Sequence, residues 1–273
     1  MTSKLANWQA TAFNQSEDSS NQIHSDEMAK TYGFKGGLVP GVTVSAYLIH
    51  PAIEAWGTDW LRYGAAKAVV EKPLYDGYDF TVDVTDADET SYQATLTDQA
   101  GTRNATGTMR LNRAAAAPPT MRGDVPLVKN QPIANATREE MEKLQALGMK
   151  ALQVRWHENN NMATYLKNRQ TMPDLHNTAG AGYANAAFML SLSNWVLAGN
   201  AYMNPWIHLQ TESQNYAIVE NHTELHVECD IRDLFEKKGH QFVDLNVDVY
   251  ALKTAQPVMT TMLRAIYQLR PAV

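Results

Sequence analysis

Between Asn21 and Gly41 the chain reads Asn21-Gln-Ile-His24-Ser-Asp26, then Ala29, Gly33-Phe34 and Gly36-Gly37-Leu-Val-Pro40-Gly41, and an apolar run follows at once. A helix that starts at this run leaves its first backbone N–H groups without helical partners and places the positive end of its dipole beside them. An imidazole near such a helix start can carry a proton while the amides hold a developing oxyanion. That pairing is what polarising a thioester carbonyl and moving water requires. His24 is thus the candidate acid/base group. Gly37 and Gly41, in a glycine-rich loop that opens a helix, are candidates for presenting free N–H groups to a substrate.

The surrounding pattern supplies elements to position these residues. A strand is expected at Trp8–Asn14, a short helix at Asp26–Tyr32 and a helix of about 15 residues at Val42–Trp56, stopped by Gly57. Runs at Tyr63–Glu71, Tyr78–Val84, Ser91–Thr97 and Arg103–Leu111, separated by turn residues, read as an antiparallel meander. The order then recurs. A strand near Leu152–Trp156, a short helix near Asn160–Asn168 and a helix around Gly180–Gly199 precede strands at Trp206–Gln214, Thr223–Asp230, Gln241–Leu252 and Met259–Leu269. His24 and His157 each precede a Met-Ala pair and then a tyrosine, and Trp60-Leu and Trp206-Ile follow the two long helices.

Two halves are expected: 1–113, carrying the histidine stretch, and 137–273, which completes the pocket walls and is expected to be non-catalytic. A linker at 114–136 opens on Ala114-Ala-Ala-Ala-Pro-Pro119. The fold class is α+β, two antiparallel sheets each wrapped round a long central helix. The chain would form its own pseudo-dimer, and a homodimer of such pseudo-dimers is a compatible assembly.

Composition narrows the function. The net charge of −6, with no Lys/Arg run longer than Lys237-Lys238, argues against nucleic acid. From Leu175 to Thr211 there is no Asp, Glu, Lys or Arg, but Asn177, Asn185, Ser191, Ser193, Asn194 and Asn200 mark a buried helix rather than a membrane span. The opening Met1-Thr-Ser-Lys-Leu-Ala-Asn-Trp8 has no apolar leader, so a cytoplasmic location is expected. Cys229 is the single cysteine and reads as a small strand residue. His157 reads as a structural relic, His208 and His240 as hydrogen-bonded sheet residues, and no spacing suggests a metal.

The stretch Asn21-x-Ile-His24-x-Asp26, Ala29, Gly33-Phe34, Gly37-Leu-Val and Gly41 resembles the hydratase motif of MaoC-like hot-dog proteins. Pro205-Trp-Ile-His208 and Phe235-Glu-Lys-Lys-Gly-His240-Gln-Phe-Val-Asp244 resemble the second hot-dog of double hot-dog acyl dehydratases, so the likeness covers nearly the whole chain. It implies an (R)-specific enoyl-CoA hydratase type of lyase in fatty acid metabolism, acting on an acyl-CoA thioester, with coenzyme A as part of the substrate and no separate cofactor. By the same resemblance His24 matches the catalytic histidine, Asn21 the polar residue that sets it and Gly41 the glycine whose N–H meets the thioester oxygen. The family aspartate falls at Ser19 here, and a one-residue bulge would bring Asp18 to its place as the second catalytic group. Pro40 stands where the family has histidine.

Two alternatives accompany this reading. A hot-dog thioesterase usually carries a carboxylate on the central helix, whereas Val42–Pro51 has neither Asp nor Glu. An acyl-CoA-binding protein without catalysis would bind and not convert.

Overall fold

The computed structural model describes residues 5–177 and 180–270; the expected absence of a leader rests partly on Met1–Lys4, outside them. Ten strands form one antiparallel sheet in the order β1 (Trp8–Thr11), β3 (Asp79–Thr85), β4 (Ser91–Asp98), β5 (Arg103–Leu111), β2 (Gly64–Val70), β7 (Ile207–Asn215), β10 (Gln256–Gln268), β9 (His240–Ala251), β8 (Glu224–Lys237) and β6 (Leu152–Arg155). The two halves have matching orders, β1-β3-β4-β5-β2 from one edge and β6-β8-β9-β10-β7 from the other. This corrects the expectation of two sheets. β2 and β7 pair from Ala65↔Gln214 to Val69↔Gln210, so each half's inner edge supplies the hydrogen-bond partners that the other's needs.

On one face of the sheet lie two long helices, α2 (Gly41–Trp56) and α5 (Ala186–Asn200), packed against each other. Sheet and neighbouring helix together bury nearly all of α2, which is why its sequence is apolar all round. Pro51 inside α2 has no N–H for the Tyr47 carbonyl, and Trp8 Nε1–H from β1 donates to that carbonyl at 3.1 Å instead. One residue on, the Tyr92 hydroxyl of β4 donates to Leu48 O at 2.8 Å and accepts from Ala52 N–H at 3.2 Å. These bonds tie the helix to its own sheet and fix the position of Gly41 at its start.

The second central helix is charge-free but capped: Asn185 Oδ1 accepts from Phe188 N–H, and Asn185 Nδ2 donates to Met162 O. Ser191 and Ser193 bond back to carbonyls of their own helix, at Ala187 and Leu190, so the amphipathic burden of a buried helix is met locally. No helix among the described residues is long and apolar enough to cross a membrane.

The short elements differ from expectation. Residues 160–168 are turns, not a helix, because Asn160 Oδ1, Thr164 Oγ1 and Asn168 Oδ1 each accept a backbone N–H two residues on. A short helix, α3 (Thr58–Tyr63), precedes β2 and takes up Tyr63, the first residue of the segment read as strand. Another, α4 (Arg138–Leu147), follows the linker, with Thr137 Oγ1 accepting from Glu140 N–H. The remaining helix, α1 (Asp26–Thr31), lies as expected beside His24.

The linker crosses the sheet and is held by Glu228 of β8, a fully buried carboxylate that accepts from the backbone N–H groups of Arg122 (2.8 Å), Gly123 (2.6 Å) and Asp124 (3.0 Å). Losing these three charge-assisted hydrogen bonds leaves the amides to find water. Glu228→Ala is expected to lower the unfolding free energy by about 2–3 kcal/mol in a urea titration, and a change within about 0.5 kcal/mol would contradict the clamp.

Candidate active site

His24 ends a single 3₁₀ turn, Gln22–His24, that is fastened to the second half of the chain. Asn21 Nδ2 donates to Trp206 O at 3.0 Å, its Oδ1 accepts from Trp206 N–H at 3.3 Å, and Gln22 N–H donates to Asn204 Oδ1 at 3.0 Å. Asn21 therefore sets the histidine by gripping the strand entry opposite, and both ends of its amide are committed there. Its ring neighbour is held from the other side: His24 Nδ1 lies 2.7 Å from Leu38 O. A carbonyl only accepts, so Nδ1 carries the proton and the neutral ring keeps its lone pair on Nε2.

Burial lowers the His24 pKa from the ordinary histidine value, against the opposing pull of the Leu38 bond. The unprotonated form is the one a general base uses. A reaction that begins with proton removal by His24 is expected to keep its rate as pH falls through about 6.5 and to lose it only below that, read from kcat/KM against pH. An acid limb with its midpoint above 7 would contradict this.

Gly37 has a positioning role. Its N–H is spent on Asp26 Oδ1 at 2.6 Å, and a Cβ there would collide with the His24 carbonyl. Only glycine lets the loop pass so close to the histidine turn. Gly41 is different: no partner accepts its N–H or that of Val42 among the described residues, while Pro40 O already accepts from Thr43 and Val44. These two amides form the open, positive end of α2.

His24, Asn21 and Gly41 line one cavity of about 190 Å³, with Trp206, Asn194 and His208 from the second half. Asp18 does not. It is exposed, makes no hydrogen bond or ion pair with another described residue, and is not part of the cavity wall. The turn closed by Ser19 N–H on Ser16 O leaves Ser19 and Ser20 exposed as well, so the extra residue loops outward, where a carboxylate stays hydrated. Glu71 reaches the rim, but its oxygens are held by Arg103 at 2.8 Å and Thr106 at 3.2 Å.

His208 is the residue that sequence reading missed. It lies on β7 as a strand residue, yet its ring lines the cavity and packs on Gly41, where an added Cβ would sit 2.6 Å from Cδ2. β10 pairs Arg264 with Gln210 and Ala265 with His208, so Leu209 is bulged out beside it. Its contact with Gly41 crosses the halves and depends on the β2–β7 junction, so the sequence around it gave no signal of a place in the cavity.

The pseudo-symmetric place in the molecule is closed. Ile49 stands as far along α2 from Gly41 as Asn194 stands along α5 from Ala186, and Val44 corresponds to Met189 in the same way. The hollow walled by Ile49, Trp60, Leu61, Ala186 and Met189 is about 30 Å³ and holds no histidine. Elsewhere, Cys229 is buried against Met149 with its thiol pKa pushed up, His240 accepts a backbone N–H from Arg270, and no metal-binding group of three occurs among the described residues.

No family model and no curated protein matches the amino-acid sequence. Solved structures do. A conserved Mycobacterium tuberculosis protein, described as having a double hot-dog fold, is 13% identical with a TM-score of 0.58, the match covering 97% of this chain and 96% of that one. A proposed MaoC-domain dehydratase from Chloroflexus aurantiacus is 9% identical at a TM-score of 0.56, with 98% and 97% covered. A proposed thioesterase from Novosphingobium aromaticivorans is 12% identical at 0.53, with 97% of each chain covered. Identities this low carry the fold and nothing finer. With its mirrored five-strand halves and paired central helices, the chain is a double hot-dog protein, of the architecture found in solved structures named as MaoC-like dehydratases and as thioesterases.

Proposed function

We propose that the protein adds water to, or removes it from, a 2-enoyl thioester, with coenzyme A as the carrier. The observation that carries this reading is that His24, with its Nδ1 spent on Leu38 O, and Gly41, whose N–H has no partner among the described residues at the start of α2, line one cavity. In the hydration direction Gly41 N–H takes the thioester oxygen and His24 Nε2 removes a proton from water. The hydroxide adds at the β-carbon, and the charge moves to the oxygen held by Gly41. The His24 imidazolium then returns its proton to the α-carbon. His24 performs both proton transfers, in place of a division of labour with Asp18.

Hydrolysis of the thioester is the second reading, since a water activated by His24 could instead attack the carbonyl carbon held at the same amides. Against it, α2 has no Asp or Glu before Glu54, so no carboxylate stands at the oxyanion end to serve as nucleophile or base. Incubation with short and long 2-enoyl-CoA, following loss of the conjugated absorbance alongside free thiol, separates the two. The proposal expects absorbance loss without thiol; thiol release at the same rate, or no turnover at any chain length from folded protein, overturns it.

A further inference from the structure

His208 is a buried, polar side chain on the cavity wall that the proposed proton transfers do not use. Its Nδ1 lies 3.0 Å from Asn194 Oδ1, an acceptor, so Nδ1 carries the proton and the lone pair sits on Nε2. That Nε2 is buried and has no hydrogen-bond partner. Burial with no compensating charge pushes the ring's pKa down to about 3, so it remains a neutral acceptor. An orphaned buried acceptor is unfavourable unless something in the cavity donates to it.

The ligand chemistry follows from what each wall offers. The helix start presents donors, which suit the thioester oxygen. His208 presents an acceptor, which a saturated or unsaturated acyl chain cannot satisfy and a hydroxyl can. We infer that His208 Nε2, oriented by Asn194, is the recognition group for a hydroxyl on the acyl chain of the bound thioester, the 3-hydroxyl of a 3-hydroxyacyl group or the water that becomes it. The inference rests on the thioester reading above and adds a specificity residue from the second half of the chain. It also explains why the two pseudo-symmetric places in the molecule differ: the closed one has Ile49 where Asn194 stands, and no histidine.

The test is calorimetric binding of 3-hydroxybutyryl-CoA against butyryl-CoA, and of the ten-carbon pair, to the full chain and to His208→Phe, His208→Gln and Asn194→Leu. The expected result is a preference of about tenfold for the hydroxylated member in the unaltered protein, absent in His208→Phe, reduced in Asn194→Leu and partly kept in His208→Gln, whose amide oxygen still accepts. Partial rescue by glutamine is a readout that a purely structural histidine would not give. If His208→Phe fails to fold, Asn194→Leu and His208→Gln still decide the matter. Equal binding of both members to the unaltered protein, or an unchanged preference in the variants, overturns the inference even where enoyl hydration proceeds. A preference that depends on His208 in a protein that does not hydrate supports the inference and removes the hydratase reading. Failure to bind any of the four thioesters overturns both.

Discussion

Replacing His24 by alanine is expected to lower kcat/KM for enoyl-CoA hydration by about 10²–10⁴, the usual contribution of a positioned acid/base group, or about 3–5 kcal/mol of barrier. The effect should sit at the top of that range, because no free carboxylate of the described cavity wall can take over the proton: Asp18 is exposed, and Glu71 at the rim is held by Arg103 and Thr106. The fold should survive, since the ring makes one hydrogen bond, to Leu38 O, and the turn is held independently by Asn21 and Gln22 on the second half. His24→Gln gives the sharper comparison. Its amide can still donate to Leu38 but cannot act as a base, so it should be as inactive as the alanine variant. Activity within tenfold of the unaltered protein in either variant, by initial rates, would remove His24 from the mechanism. Asp18→Asn, by contrast, should leave the rate within about threefold.

Gly41→Ala is expected to reduce kcat by about 10²–10³, the loss typical of one oxyanion donor, with a smaller change in KM. The new Cβ would lie 2.6 Å from Cδ2, 2.9 Å from Cγ and 3.0 Å from Cβ of His208, which forces the ring or the helix start to move. Either motion misdirects the Gly41 and Val42 amides. Overpacking of this kind typically costs about 1–3 kcal/mol of stability. The double substitution Gly41→Ala/His208→Ala removes the two closest contacts, Cδ2 and Cγ, and should recover part of the stability lost in Gly41→Ala alone, as read by urea midpoint. A Gly41→Ala variant with full activity and unchanged stability would show that helix start and ring are not coupled.

How much of this was readable beforehand depended on chain distance. Asn21, His24 and Gly41 fall within one local run, where the helix start itself forces the amides and the histidine turn into proximity. The long helices were legible for the same reason, α2 by its apolar run and the Gly57 stop, α5 by the absence of charge. His208 and Asn194 were not, because they reach the cavity through pairing of β2 with β7 and through the bulge at Leu209, neither of which leaves a mark in the sequence near them. The single sheet escaped notice on similar grounds: edge strands that pair within a chain read the same as edges that stay apart. Asp18 depended on a one-residue slip in a loop, and loops fix no register. Helix α4 went unread, although Thr137-Arg-Glu-Glu140 carries a capping pattern whose Oγ1 bond the structure shows. The mistaken helix at 160–168 came from carrying the order of the first half onto the second, where the side chains of Asn160, Thr164 and Asn168 compete for the backbone.

The central claim is that His24 moves a proton between water and the α-carbon of a thioester held at the start of α2. Incubating the protein with a 2-enoyl-CoA in D₂O and analysing the product by mass spectrometry and proton NMR tests it most directly. The account predicts a 3-hydroxyacyl-CoA carrying one deuterium at the α-carbon, formed by the unaltered protein and not by His24→Gln. Free coenzyme A with an acid that has no α-deuterium, or the same labelled product from His24→Gln, would contradict it.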